Sequence, residues 1–260
     1  MHNNLYNIYT DLFFEGTEVS PRGLKILEIE NYNYIVPPYC RFNTFVERHL
    51  NIDYIKKEFL WYLAGKKFDT TIMNHAKMWK SLVNTDGSIN SNYGRYIFGE
   101  ILQYDNVVNI LLNDKDSRRA SIVILTPVHL LSDSHDIPCT YSINFRIRKN
   151  RLNMTVRMRS QDAILGMGND MACFSFIHEM MLNSLRTVYP ELEYGEYYHS
   201  ADSFHIYEKH FEMLKKIVLG DEYTEYECPK ISSAAEVTFL RQLDFSNIPV
   251  EYKFSKWLTS

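Results

Sequence analysis

Residues 143–170 read INFRIRKNRLNMTVRMRSQDAILGMGND. Apolar Ile143, Phe145 and Ile147 alternate with Asn144, Arg146 and Arg148, and after Lys149-Asn150 apolar Leu152, Met154, Val156 and Met158 alternate with polar residues. Period two on both arms predicts an antiparallel hairpin with one buried face. A two-residue turn at Lys149-Asn150 pairs Phe145 with Met154 and Ile143 with Val156, keeping apolar opposite apolar. The same register sets Cys139 opposite Ser160, beside Arg159. Strict alternation would put the thiol and the guanidinium on opposite faces, so for them to meet the strand must end or bulge near Pro138 or Met158. RSQDAILGMGND then reads as a loop with two glycines, and Asp170 is placed to cap a helix over 171–188.

Working outward, 23–36 is rich in β-formers and predicts a strand pair. Residues 51–64 carry Ile52, Ile55, Phe59, Tyr62 and Leu63 at helical spacing, with Gly65 as the stop. Further helices are predicted over 70–83, 97–113 and 206–218, a short strand over 120–126 ended by Pro127, and another strand over 195–207. The tail 229–260 has no clear period. The expectation is one α+β domain spanning residues 1–260, a length within the range of a single fold.

Of the 260 residues 45% are apolar and 14% aromatic, enough for a core rich in ring packing. A formal net charge of −4 gives no bulk attraction to nucleic acid or an anionic membrane, so an anionic ligand would need a local arginine cluster. No apolar run is long enough to span a bilayer, and the N-terminal stretch lacks the pattern of a secretory signal. Cys40, Cys139, Cys173 and Cys228 lie far apart, with neither metal spacing nor a disulfide framework, which predicts a reduced, cytoplasmic protein.

Several segments occur in an order that resembles the thymidylate synthase family: EFLWYL at 58–63, the tryptophan and Tyr-Gly of MWKSLVNTDGSINSNYG, DSRR at 116–119, Pro138-Cys139, RSQDAILGMGND at 159–170 and FHIY at 204–207. INSNYG, QYD, DSRR and the Asn-Asp of GND resemble, within that family, the phage deoxycytidylate hydroxymethylases. The resemblance implies a large mixed sheet flanked by helices, dimerising through the sheet. It implies one-carbon transfer from 5,10-methylenetetrahydrofolate to carbon 5 of a pyrimidine nucleotide.

Carried over residue by residue, the resemblance makes Cys139 the nucleophile that adds to carbon 6, with Arg159 helping to ionise it. Arg22, Arg118, Arg119, Arg159 and Ser160 fall at phosphate positions, where planar bidentate donors suit the oxygens. The DSRR arginines would reach into a partner's site, which implies a homodimer with shared sites. His205 and Tyr207, spaced to share one face of a strand, would hold the sugar hydroxyls. Trp79, Asp162 and Gly166 fall at folate positions, Tyr93 lies near the cofactor and nucleophile, and Glu58 manages water and protons. Taken alone, each of these has an ordinary structural reading: surface arginine, helix glutamate, core aromatic.

Asp170 stands where the synthases carry asparagine. Asparagine suits the carbonyl and ring N–H of uracil. An aspartate accepts from the amino group of cytosine and favours a proton at N3, which builds the electron sink for attack at carbon 6. The chain also has Thr140 where the family has histidine and Met158 where it has glutamine, both moving away from the synthase. The expected activity is a cytidylate 5-hydroxymethylase. The rivals are a thymidylate synthase acting on dUMP, an enzyme of the ribonucleotide CMP, and a non-catalytic nucleotide- or RNA-binding relative.

Overall fold

A computed structural model of the chain describes residues 2–131, 134, 136–220 and 222–260. Its strands are β1 (Thr17–Val19), β2 (Ile26–Val36), β3 (Ser121–Val123), β4 (Thr140–Arg148), β5 (Arg151–Met158), β6 (Gln161–Asp162) and β7 (Glu193–Tyr207). Its α-helices are α1 (His2–Glu15), α2 (Ile52–Ala64), α3 (Tyr93–Ile97), α4 (Gln103–Asn113), α5 (Pro127–Leu131), α6 (Met167–Leu185), α7 (Phe211–Gly220), α8 (Ala234–Gln242) and α9 (Lys253–Thr259). The strands form one seven-stranded sheet in the order β1-β2-β7-β5-β4-β3, with β6 added beside β7. The sheet is mixed: β7 runs antiparallel to β2 and parallel to β5 and β6. The architecture is thus α+β, a large mixed sheet flanked by helices.

The hairpin forms in the expected register, Phe145 opposite Met154 and Ile143 opposite Val156. Lys149 and Asn150 both take positive φ, 50° and 56°, the turn whose twist matches the strands it joins. The inward side chains Ile143, Phe145, Ile147, Leu152, Met154, Val156 and Met158 are all buried.

Helix α2 begins where Asn51 accepts from Tyr54 N at 2.9 Å and ends at Gly65, whose φ of 60° suits a residue without Cβ. Its Ile55, Phe59, Trp61, Tyr62 and Leu63 enter the core. Helix α6 is buried on nearly every side, which explains its continuous apolar run, and it packs against β7, α2, α4 and α8.

Five expectations change. Residues 23–36 contain one long strand, paired with β7 and the short β1, because the complement of β2 comes from far along the chain. The 70–83 helix is two 3₁₀ turns, Thr71–Asn74 and Lys77–Leu82. There only Ile72 and Trp79 are fully buried, other apolar residues packing at the core's edge, so no continuous buried face exists to hold a longer helix. The 97–113 helix is interrupted between α3 and α4, where Leu102 has φ 52° and Gly99 lies against the backbone of Gly65. The 120–126 strand shrinks to β3, and Pro127 starts a helix as readily as it stops a strand. Finally, β7 continues through Tyr207 and its helix starts only at Phe211, after a 3₁₀ turn. The tail supplies α8 and α9, whose Phe254 and Trp257 join Phe59 and Phe176 in an aromatic cluster.

Candidate active site

The hairpin's open end carries the irregularity that the sequence requires. The β4–β5 register slips between Thr140 and Ser142, further into the strand than Pro138. Tyr141 takes the extra position, and its carbonyl accepts from Ile124 N at 2.9 Å beyond β3. Past the bulge Cys139 pairs with Arg159 rather than Ser160: Arg159 N donates to Cys139 O at 2.8 Å. The guanidinium turns back on the same loop. Nη2 donates to Ile137 O at 2.7 Å, Nε to Pro138 O at 3.1 Å, and Nη2 reaches Cys139 Sγ at 3.6 Å.

Burial pushes the Cys139 thiol above its ordinary value. Arg159 and, more weakly, Arg22 oppose this, while Asp170 and Asp136 reinforce it. Arg159 thus acts in the expected direction, but desolvation outweighs it. Asp136 is a neighbour that no motif announced. It is buried and accepts from Ser91 N at 2.7 Å.

Asp170 does not cap α6. The helix starts at Met167 after Gly166, Asp170 N already donates to Gly166 O at 2.9 Å, and the side chain hangs from the first turn. Burial raises its carboxyl to about 7, with Gln161 pulling it down and Asp162 pushing it up. Gln161 is itself buried, and its Oε1 accepts from Tyr34 OH at 3.0 Å. Glu58 faces the same space from α2. Burial, then the charge of Asp170, raises it to about 8, against a hydrogen bond from Tyr54. Tyr93 is pushed up by its own burial first and then by the charges of Cys139 and Asp170. Cys139, Arg159, Asp170, Glu58 and Tyr93 therefore converge on one centre, with Arg22 at its rim.

Strand pairing places the flanking residues. Asp162 sits opposite His205, and Tyr207 opposite Ile26, a few residues from the exposed loop that carries Arg22. The rings of His205 and Tyr207 meet edge to face at 5.2 Å, so they share a side of β7. Ser160, half-buried, lies between Arg159 and β6. Asp162 Oδ1 accepts from Ile164 N and Leu165 N, both at 2.7 Å, which shapes the loop leading to Gly166. Its Oδ2 is buried and has no hydrogen-bond partner among the described residues. Trp79 is buried beside Trp61, ring centroids 5.2 Å apart.

Arg118 and Arg119 do not join this centre. Both are exposed, and Arg118 lines the open face of the sheet with Arg146, Arg148 and Arg157, the outward positions of the hairpin.

Tyr54, Gln161 and Cys173 escaped the sequence reading. Tyr54 lies four residues before Glu58 and Cys173 three after Asp170, spacings that put each on its partner's helix face and would have found them. Gln161 and Asp136 carried no such signal. Among the described residues no helix is long and apolar enough to cross a membrane.

Fold and family together define a folate-dependent one-carbon transferase. The chain belongs to the thymidylate synthase family, whose family model matches residues 7–257. It is 30% identical to the deoxycytidylate 5-hydroxymethyltransferase of Enterobacteria phage T6 over 206 residues, 75% of this chain and 81% of that protein. Against the deoxyuridylate hydroxymethyltransferase of Bacillus phage SP01 identity is 28%, covering 77% of this chain and 55% of that protein. The thymidylate synthase of Bacillus mojavensis is 30% identical, over 70% of this chain and 65% of its own length.

Proposed function

We propose that the protein is a cytidylate 5-hydroxymethylase, taking a one-carbon unit from 5,10-methylenetetrahydrofolate to carbon 5 of dCMP or CMP, with water completing the hydroxymethyl group. The observation that carries this is Asp170, an aspartate in the first turn of α6 that caps nothing, acts electrostatically on Cys139 and has a carboxyl raised to about 7. Such a group accepts from the cytosine amino group and still holds a proton to place on N3 at neutral pH. The likeness to a phage deoxycytidylate 5-hydroxymethyltransferase supports the same substrate.

In this reading Cys139, as thiolate, adds to carbon 6 of the base, drawing electron density toward the protonated N3. Arg159 and Arg22 favour the thiolate and, with Ser160, bind the phosphate. His205 and Tyr207 hold the sugar, and Glu58 directs water and moves protons. Asp162, Gly166 and Trp79 hold the folate, and the unpartnered Oδ2 of Asp162 suits a ring N–H donor. The folate supplies a carbon at the oxidation level of formaldehyde, and no hydride is needed. Arg118 and Arg119, remote from Cys139 in their own chain, serve the phosphate of a partner in a homodimer built on the open sheet face. Four free cysteines agree with a reduced, cytoplasmic setting.

The test is kcat/KM for dCMP, CMP and dUMP with methylenetetrahydrofolate, products identified by mass. Above about pH 7, where Asp170 is ionised unless a base nitrogen shares its proton, uracil's carbonyl oxygen is left without a donor, a loss of about 2–3 kcal/mol or a preference of about a hundredfold for cytidylate, so the ratio is read at about pH 8.5. Asp170→Asn is expected to shrink or invert that ratio. A wild-type preference for dUMP, or an unchanged ratio in Asp170→Asn, would overturn the cytidylate reading.

A further inference from the structure

Glu58 is held from one side by a hydrogen-bond chain whose direction is fixed by chemistry. Trp79 Nε1 lies 2.9 Å from Tyr54 OH, and Tyr54 OH lies 3.0 Å from Glu58 Oε1. An indole N–H only donates, so the Tyr54 oxygen is the acceptor in the first bond. Its hydroxyl hydrogen is therefore turned toward Glu58, and Oε1 is the acceptor in the second. A carboxylic acid accepts better through its carbonyl oxygen than through its hydroxyl, so a neutral Glu58 carries its proton on Oε2. That oxygen points the other way, toward α6, where Cys173 Sγ lies 4.0 Å from it.

We propose that Tyr54 is a positioning residue of the active site: oriented by Trp79, it clamps Oε1 of Glu58 and leaves Oε2 as the oxygen that holds and transfers the proton. The proposal rests on the reading of Glu58 as the group that moves protons for the reaction. Tyr54 touches no reacting atom in this role. It gives a flexible carboxyl one orientation and one tautomer, so no rotamer search separates successive transfers.

The charged and titratable groups around Glu58 allow the effect of the clamp to be isolated. Tyr54 and Tyr62 approach from α2, Asp170 and Cys173 from α6. Burial and Asp170 favour the neutral acid, and the Tyr54 hydroxyl is the group that favours the carboxylate. Removing that hydroxyl must therefore move the midpoint of Glu58 upward, whereas loosening the packing and admitting water would move it downward.

The experiment is an infrared titration of the ligand-free protein with isotope-labelled glutamate, in wild type, Tyr54→Phe and Trp79→Phe. The Glu58 band is the one missing in Glu58→Gln. Wild type is expected to titrate near pH 8. Tyr54→Phe is expected to titrate about one pH unit higher, with a carboxyl stretch shifted as its carbonyl loses a donor. Trp79→Phe, which removes the orienting N–H and keeps the Tyr54 hydroxyl, is expected to broaden the band. In turnover with dCMP, Tyr54→Phe is expected to lose about tenfold to a hundredfold in kcat with nucleotide Kd within about twofold. An unchanged or lowered midpoint in Tyr54→Phe would overturn the clamp, as would loss of nucleotide binding in step with kcat. Should wild type fail to turn over cytidylate at all, the proposed substrate falls, and the infrared arm still decides the clamp by itself.

Discussion

Asp170 and Glu58 are carboxyls whose charged forms are disfavoured by burial, raised to about 7 and about 8. In the unfolded chain both titrate near 4. The folded state thus binds these protons more tightly, and stability falls as pH rises between the two values. Their contribution is complete below about pH 4 and is lost as pH passes through 7 and then 8. Asp170→Asn and Glu58→Gln are therefore expected to raise the urea midpoint at pH 8.5 and to leave it nearly unchanged at pH 4.5. The gain at high pH is at most about 4 kcal/mol for Asp170→Asn and about 5 kcal/mol for Glu58→Gln. Asp170 is one of the groups raising Glu58, so the double variant should gain less than the sum. Equal effects at both pH values would mean that neither group is held neutral by its surroundings. Residues placed for chemistry would then cost the fold nothing.

Helix α3 approaches α2 so closely that Gly94 has no room for a side chain. A Cβ there would lie 2.1 Å from Tyr62 O and 2.2 Å from Tyr62 Cα, and neither backbone atom can yield. Gly94→Ala should push α3 away from α2, carrying Tyr93 out of the site, at a cost of about 2–4 kcal/mol. A chemical melt comparing it with Gly220→Ala, whose Cβ would meet nothing within 4 Å on backbone that any residue can adopt, separates the clash from loss of glycine itself. Elements of this kind mark the limit of what was legible in the sequence. The hairpin and α2 were readable because period, turn and caps are local signals. The bulge was legible as a need but not as a place: Tyr141 takes it because its carbonyl meets Ile124 N, a partner fixed only by the sheet. The 97–113 period was helical, yet the chain breaks where Gly99 meets Gly65. Cys139, Arg159, Glu58 and Asp170 could be named because a family motif marked them. Tyr54 carried no motif of its own, and Gln161 stood inside RSQDAILGMGND without a role attached to it.

At the scale of the whole molecule the proposed homodimer can be tested through its arginines. Arg118, Arg146, Arg148 and Arg157 crowd one open face of the sheet, together with the half-exposed Ile35 and Tyr198. If that face joins two copies and Arg119 reaches the neighbour's phosphate, subunits of Cys139→Ser and Arg119→Ala should complement. Random exchange makes half the dimers mixed, each with one intact site, so about a quarter of wild-type activity is expected. No recovery after exchange has been verified by mass would show that each chain serves itself. The position of β7 has a consequence of a different kind. It lies between β2 and β5, antiparallel to one and parallel to the other. Arg22 belongs to one side of that join, Cys139 and Arg159 to the other. On the ribosome, a nascent chain that has not yet released residues 193–207 holds two half-sheets with nothing to zip them together. Contacts of such long sequence separation form slowly, and the exposed edges of β2 and β5 wait in the meantime as surfaces for aggregation. Slow closure of the sheet, with those edges open in the meantime, is the consequence expected of a site assembled around a strand that arrives late.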